Sequence, residues 1–330
     1  MTKREAVLKT LSHTSVHPVP YYLDMTDEVH ERMIRFTGDD HFFEHSGSYL
    51  AQERNESFTA LSDSMFKDMF SVVWDKRFEG DFGVVAEYPI KEPSLDGYVF
   101  PQPDETLIHE KCRRLVNQGD KFTMYIIGFS LFERAWTLYS MEELLCAFMT
   151  DTDFVNTMLD RITDYNLAVA EIVCQYPIDC IFFGDDWGQQ QGLIMGYPIW
   201  KEFIYPRLKR MYYFVQSRGK YVAQHSCGDC RQLFPDLVDM KLDIYNTFQP
   251  EVYDIVDFKE RFGRHITFFG GISTQKLLPY AAPSEIKKEM RRITDILSRD
   301  GGYIIAPTHA MPADIPNENV QAFLEFCREQ

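Results

Sequence analysis

The sequence predicts an α/β protein and, within that class, a (β/α)8 TIM barrel. Short runs of β-branched and aromatic residues alternate with longer amphipathic stretches along the 330 residues, of which 45% are hydrophobic. About eight such alternations over this length are typical of parallel strands surrounded by helices. An open doubly wound sheet is the rival, but no G-x-G-x-x-G follows the first predicted strand and no G-x-x-x-x-G-K-[ST] is present.

Seven segments are predicted to be strands because they are short, apolar and bounded by polar or turn-forming residues. They are Val19–Asp24, Phe122–Ile127, Ile178–Phe183, Tyr221–Gln224, Asp243–Asn246, Ile266–Phe269 and Tyr303–Ala306. One more strand is expected between Val72 and Glu87, where VVWDKR and FGVVAEY are also compatible with a hairpin. Residues 37–64 are polar and are interpreted as an irregular insertion or capping segment. The whole chain, residues 1–330, is therefore expected to be a single domain with an N-terminal extension.

Helices are predicted where apolar residues recur every three or four positions. The clearest example is Pro283–Leu297, where Pro283 suits the first turn and the apolar positions are Ile286, Met290, Ile293 and Leu297. Thr152–Val173 and Trp200–Val215 show a similar pattern. Pro206 is expected to bend or break the second of these helices, because proline cannot donate the intrahelical hydrogen bond.

Composition restricts the partners and the location of the protein. The net charge is −16, with 50 acidic against 34 basic residues, and no basic stripe is visible, which disfavours nucleic acids and anionic membranes as partners. No apolar run reaches the roughly 20 residues of a membrane span. The first residues, MTKREAVLKT, have no apolar signal core, so we expect a cytoplasmic protein. Seven scattered cysteines then indicate thiols or metal ligands rather than disulfides.

Reactive side chains follow several of the predicted strands. In a TIM barrel the carboxyl ends of the strands meet at one mouth, where the chemistry takes place. The residues in question are Asp185, Asp186 and Trp187 after Ile178–Phe183, His225 and Cys227 after Tyr221–Gln224, Gln249, Gln275, and His309 after Tyr303–Ala306. We expect these residues to converge in space although they lie far apart in the sequence.

The motif His225-Ser226-Cys227 is the sharpest local feature. Imidazole nitrogen and thiolate sulfur are both zinc ligands, and His309 is a candidate third ligand, since a catalytic zinc typically has three protein ligands and one open position. The alternative is a hydrogen-bonded histidine beside a small buried thiol, with His309 a plain loop or substrate-binding residue. Cys230 completes a C-x-x-C, but we expect it to begin the following helix and to take no part in the site.

The other candidates have weaker signals. Asp185 and Asp186 are interpreted as a base, a substrate anchor or a metal ligand, with turn formation and helix capping as the alternative. We select Asp186 together with His225 as catalytic residues. Candidate substrate contacts are assigned to Asp185, Trp187, Tyr245, Gln249 and Gln275.

Several long runs resemble the uroporphyrinogen decarboxylase superfamily. They are KREAVLKTLSHTSVHPVPY, GDDWGQQQGLIMGYPIWKEFIYPRLKRM, HSCGDCRQLFPDLVDMKLDIYNTFQPE, FFGGISTQKLLPYAAPSEIKKEMRRITDIL and GGYIIAPTHAMPADIPNENVQAFLE, in the order of that family. The resemblance covers nearly the whole chain and implies a (β/α)8 barrel with its cleft at the carboxyl ends of the strands. It also implies one of two chemistries.

Around His225 and Cys227 the chain is most similar to the corrinoid-linked methyltransferases of this superfamily. The resemblance implies zinc held by His225 and Cys227, with His309 in the place of a later family cysteine in APTHAMP. It further implies transfer of a methyl group between a small methylated ether, amine or thiol and a corrinoid. The chain has no corrinoid-binding D-x-H-x-x-G, so a separate partner protein is expected to carry the corrinoid.

Two other functions stay open at this stage. A metal-free, uroporphyrinogen decarboxylase-like carboxy-lyase would use the same barrel, but the family's R-Q-A-G-R-Y is replaced here by HPVPYYLDMTD, which contains no arginine. A binding or chaperone-like protein without turnover is the third hypothesis. Monomer and homodimer are both compatible with the sequence, because no heptad run or large apolar stripe is visible.

Overall fold

The computed structural model of the chain describes residues 1–77 and 83–330, and its main sheet has seven parallel strands. The strands in these residues are β1 Leu50–Arg54, β2 Phe58–Ala60, β3 Met65–Asp68, β4 Val73–Asp75, β5 Val84–Glu87, β6 Phe122–Ile127, β7 Cys180–Gly184, β8 Gly188–Gln189, β9 Gly192–Leu193, β10 Tyr221–His225, β11 Ile244–Phe248, β12 Thr267–Ile272 and β13 Tyr303–Pro307. The main sheet has the order β1-β6-β7-β10-β11-β12-β13, with every neighbouring pair parallel. The predicted α/β class is confirmed.

Helices precede the main sheet and connect most of its strands. They are α1 Lys3–Leu11, α2 Asp27–Thr37, α3 Glu105–Val116, α4 Phe132–Tyr139, α5 Met141–Thr150, α6 Thr152–Val173, α7 Tyr197–Ile199, α8 Tyr205–Ser217, α9 Phe234–Asp239, α10 Ile255–Phe262, α11 Pro283–Leu297 and α12 Asn317–Arg328. Among the described residues, none of these helices is long and apolar enough to cross a membrane.

Side chains of the main strands alternate between an inner and an outer core. In β6, Phe122, Met124 and Ile126 belong to an inner cluster, whereas Tyr125 and Ile127 pack outward in the cluster that includes the helices. This follows from the period of two along a strand. Residues from both edges of the sheet, Leu50 and Ile304, join the same inner cluster, so the sheet is curled.

Residues 20–22 lie between the two edge strands of the curled sheet. Tyr22 N donates to Ile305 O of β13, Ile305 N donates to Pro20 O, and Tyr49 N, next to β1, donates to Tyr21 O, each at 2.9 Å. Residues 19–24 do not form the predicted strand: Tyr21 makes an isolated parallel bridge with Ile305, and Met25, just beyond the predicted range, makes another with Met311. The backbone of residues 20–22 nevertheless contacts both edges.

Two predictions about the N-terminal third are wrong. Residues 37–64 are not an irregular segment throughout, because β1, Leu50–Arg54, pairs in parallel with β6 in the main sheet. The strand expected between Val72 and Glu87 does not join that sheet. Instead β4 and β5 pair antiparallel within a separate four-stranded sheet of β2 to β5, as the hairpin alternative predicted. Residues 78–82, between β4 and β5, lie outside the described residues.

The predicted helices are present, but one of them is divided near a proline. Thr152–Val173 and Pro283–Leu297 coincide with α6 and α11. The predicted helix Trp200–Val215 is divided into a π-helical turn, Trp200–Ile204, and α8, whose first turn contains Pro206. This agrees with the inability of proline to continue a regular hydrogen-bond ladder.

A buried ion pair joins the antiparallel sheet to the helix that follows β6. Arg134 Nη1 of α4 lies 2.6 Å from Asp68 Oδ2 of β3, and each side chain is only 4% exposed. The Asp68 carboxylate also accepts hydrogen bonds from the backbone N–H groups of Phe70 and Val72 and from the indole of Trp74. The pair therefore holds the sheet at a fixed place beside the carboxyl end of β6.

We predict that Asp68→Ala lowers the free energy of unfolding by about 3 kcal/mol, because it leaves the Arg134 guanidinium buried without its counter-charge. Urea denaturation measures this loss. The control is Asp164→Ala, which removes the exposed pair with Arg210 and should cost less than about 1 kcal/mol. Equal losses in the two variants would show that the buried pair does not anchor the sheet.

Candidate functional site

The pairing register of β7 and β10 brings the reactive residues together. Gly184 pairs with His225, so Asp186 and Cys227 both lie two residues beyond that pair. His225 Nε2 is 3.4 Å from Cys227 Sγ and 3.4 Å from Asp186 Oδ1. One ligand atom from each of Asp186, His225 and Cys227 lies within 4.8 Å of the other two. These three residues are called the triad below.

Asn246 sets the orientation of the His225 imidazole. Asn246 pairs with His225 in the register of β10 and β11, and its Oδ1 lies 2.6 Å from His225 Nδ1. The Asn246 Nδ2 donates to Phe269 O at 3.2 Å, which turns the amide oxygen toward the imidazole. The Nδ1 position therefore carries the hydrogen, and the lone pair of Nε2 faces Cys227 and Asp186.

Close backbone packing fixes the loop that carries Cys227. Gly228 has a φ of +75°, and a Cβ there would lie 2.4 Å from the carbonyl carbon of Gly188. Only glycine allows this approach. The loop is also held by hydrogen bonds from Asp229 N to Gln189 O at 2.8 Å and from Cys227 N to Asp186 Oδ1 at 2.7 Å.

Burial shifts the pKa values of His225 and Cys227. It lowers the pKa of His225, which keeps the imidazole neutral, and raises the pKa of the Cys227 thiol well above its usual range. The carboxyl group of Asp186 raises the pKa of the thiol further. A divalent cation would reverse the effect on the thiol, since coordination deprotonates it.

The triad fits zinc by its donor atoms. A neutral imidazole nitrogen, a sulfur and a carboxylate oxygen all belong to the zinc ligand set, and three protein ligands are the usual number in a catalytic site. The Nδ1–H···Oδ1 bond to Asn246 is the type of outer contact that ligating histidines make.

A cavity of about 320 Å³ lies over the triad. The ends of the main strands and residues 20–24 contribute its walls, as expected for the carboxyl end of a curled parallel sheet. Its ionisable side chains among the described residues are Tyr22, Asp24, Arg54, Glu56, Glu133, Asp186, His225 and His309. Burial, together with the charges of Asp186 and Asp185, raises the pKa of Glu133 well above its usual value.

His309 lies on the cavity wall but outside the triad. Its ring centroid is 6.3 Å from that of His225, and it is not among the described residues whose ligand atoms fall within 4.8 Å of one another. The sequence-based prediction of His309 as third ligand is therefore not supported. Asp186, predicted as a catalytic residue, occupies that place because the strand register carries it there.

Asp185 faces away from the cavity and stabilises the fold. Its buried carboxylate accepts hydrogen bonds from the first backbone N–H groups of α4 and from the Trp187 indole. Burial raises the pKa of Asp185 to about 6, although these hydrogen bonds lower it. Trp187 is fully buried. Neither residue lines the cavity, so their predicted substrate contacts are not supported.

Three further predicted contacts also lie away from the cavity. The Tyr245 hydroxyl is buried between Ser226 O and Tyr253. Gln249 accepts the Gly228 N–H at 2.8 Å and so supports the Cys227 loop. Gln275 is exposed and does not line the cavity. The substrate-binding predictions for Tyr245, Gln249 and Gln275 are corrected accordingly.

Cys230 is not one of the three triad residues. It is buried beside Ser226 Oγ at 3.2 Å and precedes the short 3-10 turn Arg231–Leu233. Burial raises the pKa of its thiol to about 12.

Asn246, Glu133 and Glu56 are cavity residues that the sequence did not reveal as functional. Asn246 ends the predicted strand Asp243–Asn246, and Glu133 follows the strand Phe122–Ile127, so a strand-end position was the available signal. Glu56 follows β1, which the sequence did not predict, and so carried no such signal.

The fold and the triad define a class: α/β proteins with a candidate metal site at the carboxyl end of a curled parallel sheet. The family model for uroporphyrinogen decarboxylase (URO-D) matches residues 79–330, and the chain belongs to this family. No curated protein matches the sequence.

Comparison with solved structures gives matches at low sequence identity. A methyltransferase from Methanosarcina mazei superimposes with a TM-score of 0.75 at 18% identity, over 100% of this chain and 99% of the other. A GH27 β-L-arabinopyranosidase from Geobacillus stearothermophilus gives a TM-score of 0.46 at 9% identity, over 97% and 78%. At 18% identity the first comparison shows a common fold.

We predict that Asn246→Leu weakens zinc binding about 10- to 100-fold, because it removes the acceptor that selects the His225 tautomer. Competition with a chromogenic chelator measures the dissociation constant. Asn117→Leu, at the exposed end of α3, is the control and should leave zinc affinity unchanged. An unchanged affinity in Asn246→Leu, with the fold intact by circular dichroism, would contradict the role given to Asn246.

Proposed function

We propose that the chain is a zinc-dependent methyltransferase that moves a methyl group between a small methylated substrate and a corrinoid protein. The observation that carries the proposal is the triad, whose three different donor atoms lie close together beside a cavity that Asp186 and His225 line. Membership of the uroporphyrinogen decarboxylase family is compatible with it. The resemblance of the sequence around His225 and Cys227 to the corrinoid-linked branch supports it.

The proposed zinc ligands are Asp186, His225 and Cys227, with Asp186 in place of His309. When bound, zinc would supply Lewis acidity at the heteroatom that carries or receives the methyl group. Asn246 holds the imidazole in the ligating tautomer, and the Gly188–Gly228 contact fixes Cys227 opposite Asp186. The cavity walls position the substrate and keep water away from it.

The proposed transfer is a displacement at the methyl carbon. The bond between the methyl carbon and the substrate heteroatom breaks, and the heteroatom keeps the electron pair. The new bond forms to Co(I) of the corrinoid, which contributes its own electron pair. The chain lacks a corrinoid-binding D-x-H-x-x-G, so the corrinoid is proposed to arrive on a separate protein at the open end of the cavity.

We further propose that residues 20–22 act as the eighth strand and close a (β/α)8 barrel. The support is the pair of backbone contacts to both edge strands. A single domain, a cytoplasmic location and a monomeric or homodimeric state stay predictions.

The charge of the cavity disfavours the carboxy-lyase alternative. Four carboxyl groups line it, and Arg54 is its one arginine or lysine among the described residues. A polycarboxylate substrate needs several positive partners to offset its charge. The non-catalytic alternative does not explain why three metal-binding atoms of different type converge beside the cavity.

We predict that the zinc-loaded protein transfers methyl groups from a small methylated donor to free cobalamin reduced to Co(I). Loss of the Co(I) absorption band measures the rate. Cys227→Ser and Asp186→Asn should each lower the rate at least ~100-fold, since each removes a proposed metal ligand.

The matched controls for this assay are Cys146→Ser, an exposed thiol on α5, and His309→Ala. Cys146→Ser should retain the full rate, and His309→Ala should retain its zinc. Equal rates in Cys227→Ser and the unaltered protein would contradict the proposed function. Loss of zinc in His309→Ala would restore His309 as a ligand.

A further inference from the structure

The cavity over the triad is strongly acidic. Among the described residues that line it, carboxyl groups outnumber lysine and arginine by four to one. The carboxyl groups belong to Asp24, Glu56, Glu133 and Asp186, and the single guanidinium to Arg54. Charge inside an enclosed, low-dielectric cavity acts on a ligand far more strongly than charge at an exposed surface.

Glu56 is the member of this group that most needs a partner. Both of its carboxylate oxygens are shielded from solvent and have no hydrogen-bond partner among the residues the structure describes. They lie against Gly128, where a Cβ would come within 2.0 Å of Oε1. Lys111 bonds the backbone carbonyl oxygens of Arg54 and Glu56 and does not bond this carboxylate.

A buried carboxylate without a hydrogen-bond partner is costly, so a ligand that brings further positive charge near Glu56 gains a favourable interaction. The proposed zinc ion would not supply this positive charge to Glu56. Zinc would be balanced by the carboxylate of Asp186 and the thiolate of Cys227. Among the described residues that line the cavity, the carboxyl groups outside the triad belong to Asp24, Glu56 and Glu133, and the one guanidinium belongs to Arg54.

The apolar walls of the same cavity suit an organic cation. Aromatic rings from residues 20–24, from β7 and β12, and from the loop after β6 line it: Tyr22, Phe182, Phe269 and Phe129. Ring faces attract ammonium groups, and methylated ammonium is the cation that aromatic cages bind. An anion of the same size would meet both the carboxylates and the negative ring faces.

We infer that the cavity selects small organic cations, namely methyl donors or acceptors that carry an ammonium group, and rejects anionic ones. The ammonium group would lie by Glu56 and the aromatic walls, and the methyl-bearing heteroatom by the triad. This inference rests on the proposed function for the role of the heteroatom, and on the cavity alone for the sign of the charge.

Binding of two methyl ethers of opposite fixed charge tests the inference on the unaltered protein. The probes are (2-methoxyethyl)trimethylammonium and 2-methoxyethanesulfonate, whose charged ends coordinate zinc poorly, with uncharged 1,2-dimethoxyethane as reference. Isothermal titration calorimetry should show at least ~10-fold tighter binding of the cation than of the sulfonate. Equal affinities, or tighter binding of the sulfonate, would overturn the inference.

Glu56→Gln removes the charge and keeps the shape of the side chain. It should weaken the cation about 10-fold and leave 1,2-dimethoxyethane within about twofold. Glu202→Gln, an exposed carboxylate outside the cavity, is the matched control and should change neither affinity. A Glu56→Gln protein that is folded and binds the cation as before would overturn the role of Glu56.

The outcomes separate this inference from the proposed function. Cation-selective binding by a protein that holds no zinc and transfers no methyl group would support the inference and overturn the function. Zinc-dependent transfer from an anionic donor, without preference for the cation, would support the function and overturn the inference.

Discussion

The parallel register of β7 and β10 is the constraint on which the site depends. Gly184 pairs with His225 in this register. Asp186 and Cys227, two positions further along their chains, therefore lie side by side at the carboxyl end of the sheet. The register of β10 with β11 then places Asn246 beside His225. A shift of one residue in either pairing would turn these side chains to the other face of the sheet and disperse the donor atoms.

Main-sheet strands with apolar side chains on both faces could be predicted from the sequence, whereas β1, which turns polar side chains into the cavity, could not. Phe122–Ile127 coincides with its prediction, since all six residues are buried. Leu50–Arg54 was missed because Gln52 and Arg54 point into the polar cavity, so LAQER does not read as the apolar run expected of a buried parallel strand. The antiparallel strands β4 and β5 were detected as a pair but not as part of a separate sheet, because pairing partners are tertiary information.

The loops that form the site could be predicted from the sequence, but the side chains that enter the cavity could not. A strand-end position identified Asp186, His225 and Cys227, and it identified Asp185, Trp187 and Gln249 equally well. Which of two adjacent side chains enters the cavity depends on hydrogen bonds in the folded protein. The spacing of residues in the sequence does not predict these hydrogen bonds. Asp185 instead holds the N-terminus of α4, and Gln249 the N–H of Gly228. Asp186 is the third member of the triad because of the pairing register of β7 with β10. The motif His225-x-Cys227 carries no information about this register.

The most direct test of this account is zinc-edge X-ray absorption on the purified, zinc-loaded protein, with the zinc content of the same sample. The account predicts about one zinc per chain with one sulfur neighbour at about 2.3 Å and nitrogen and oxygen neighbours at about 2.0 to 2.2 Å. Two sulfur neighbours would contradict the ligand set, because Cys230 would then be a ligand. A protein that holds no zinc after reconstitution under reducing conditions would contradict the metal centre itself.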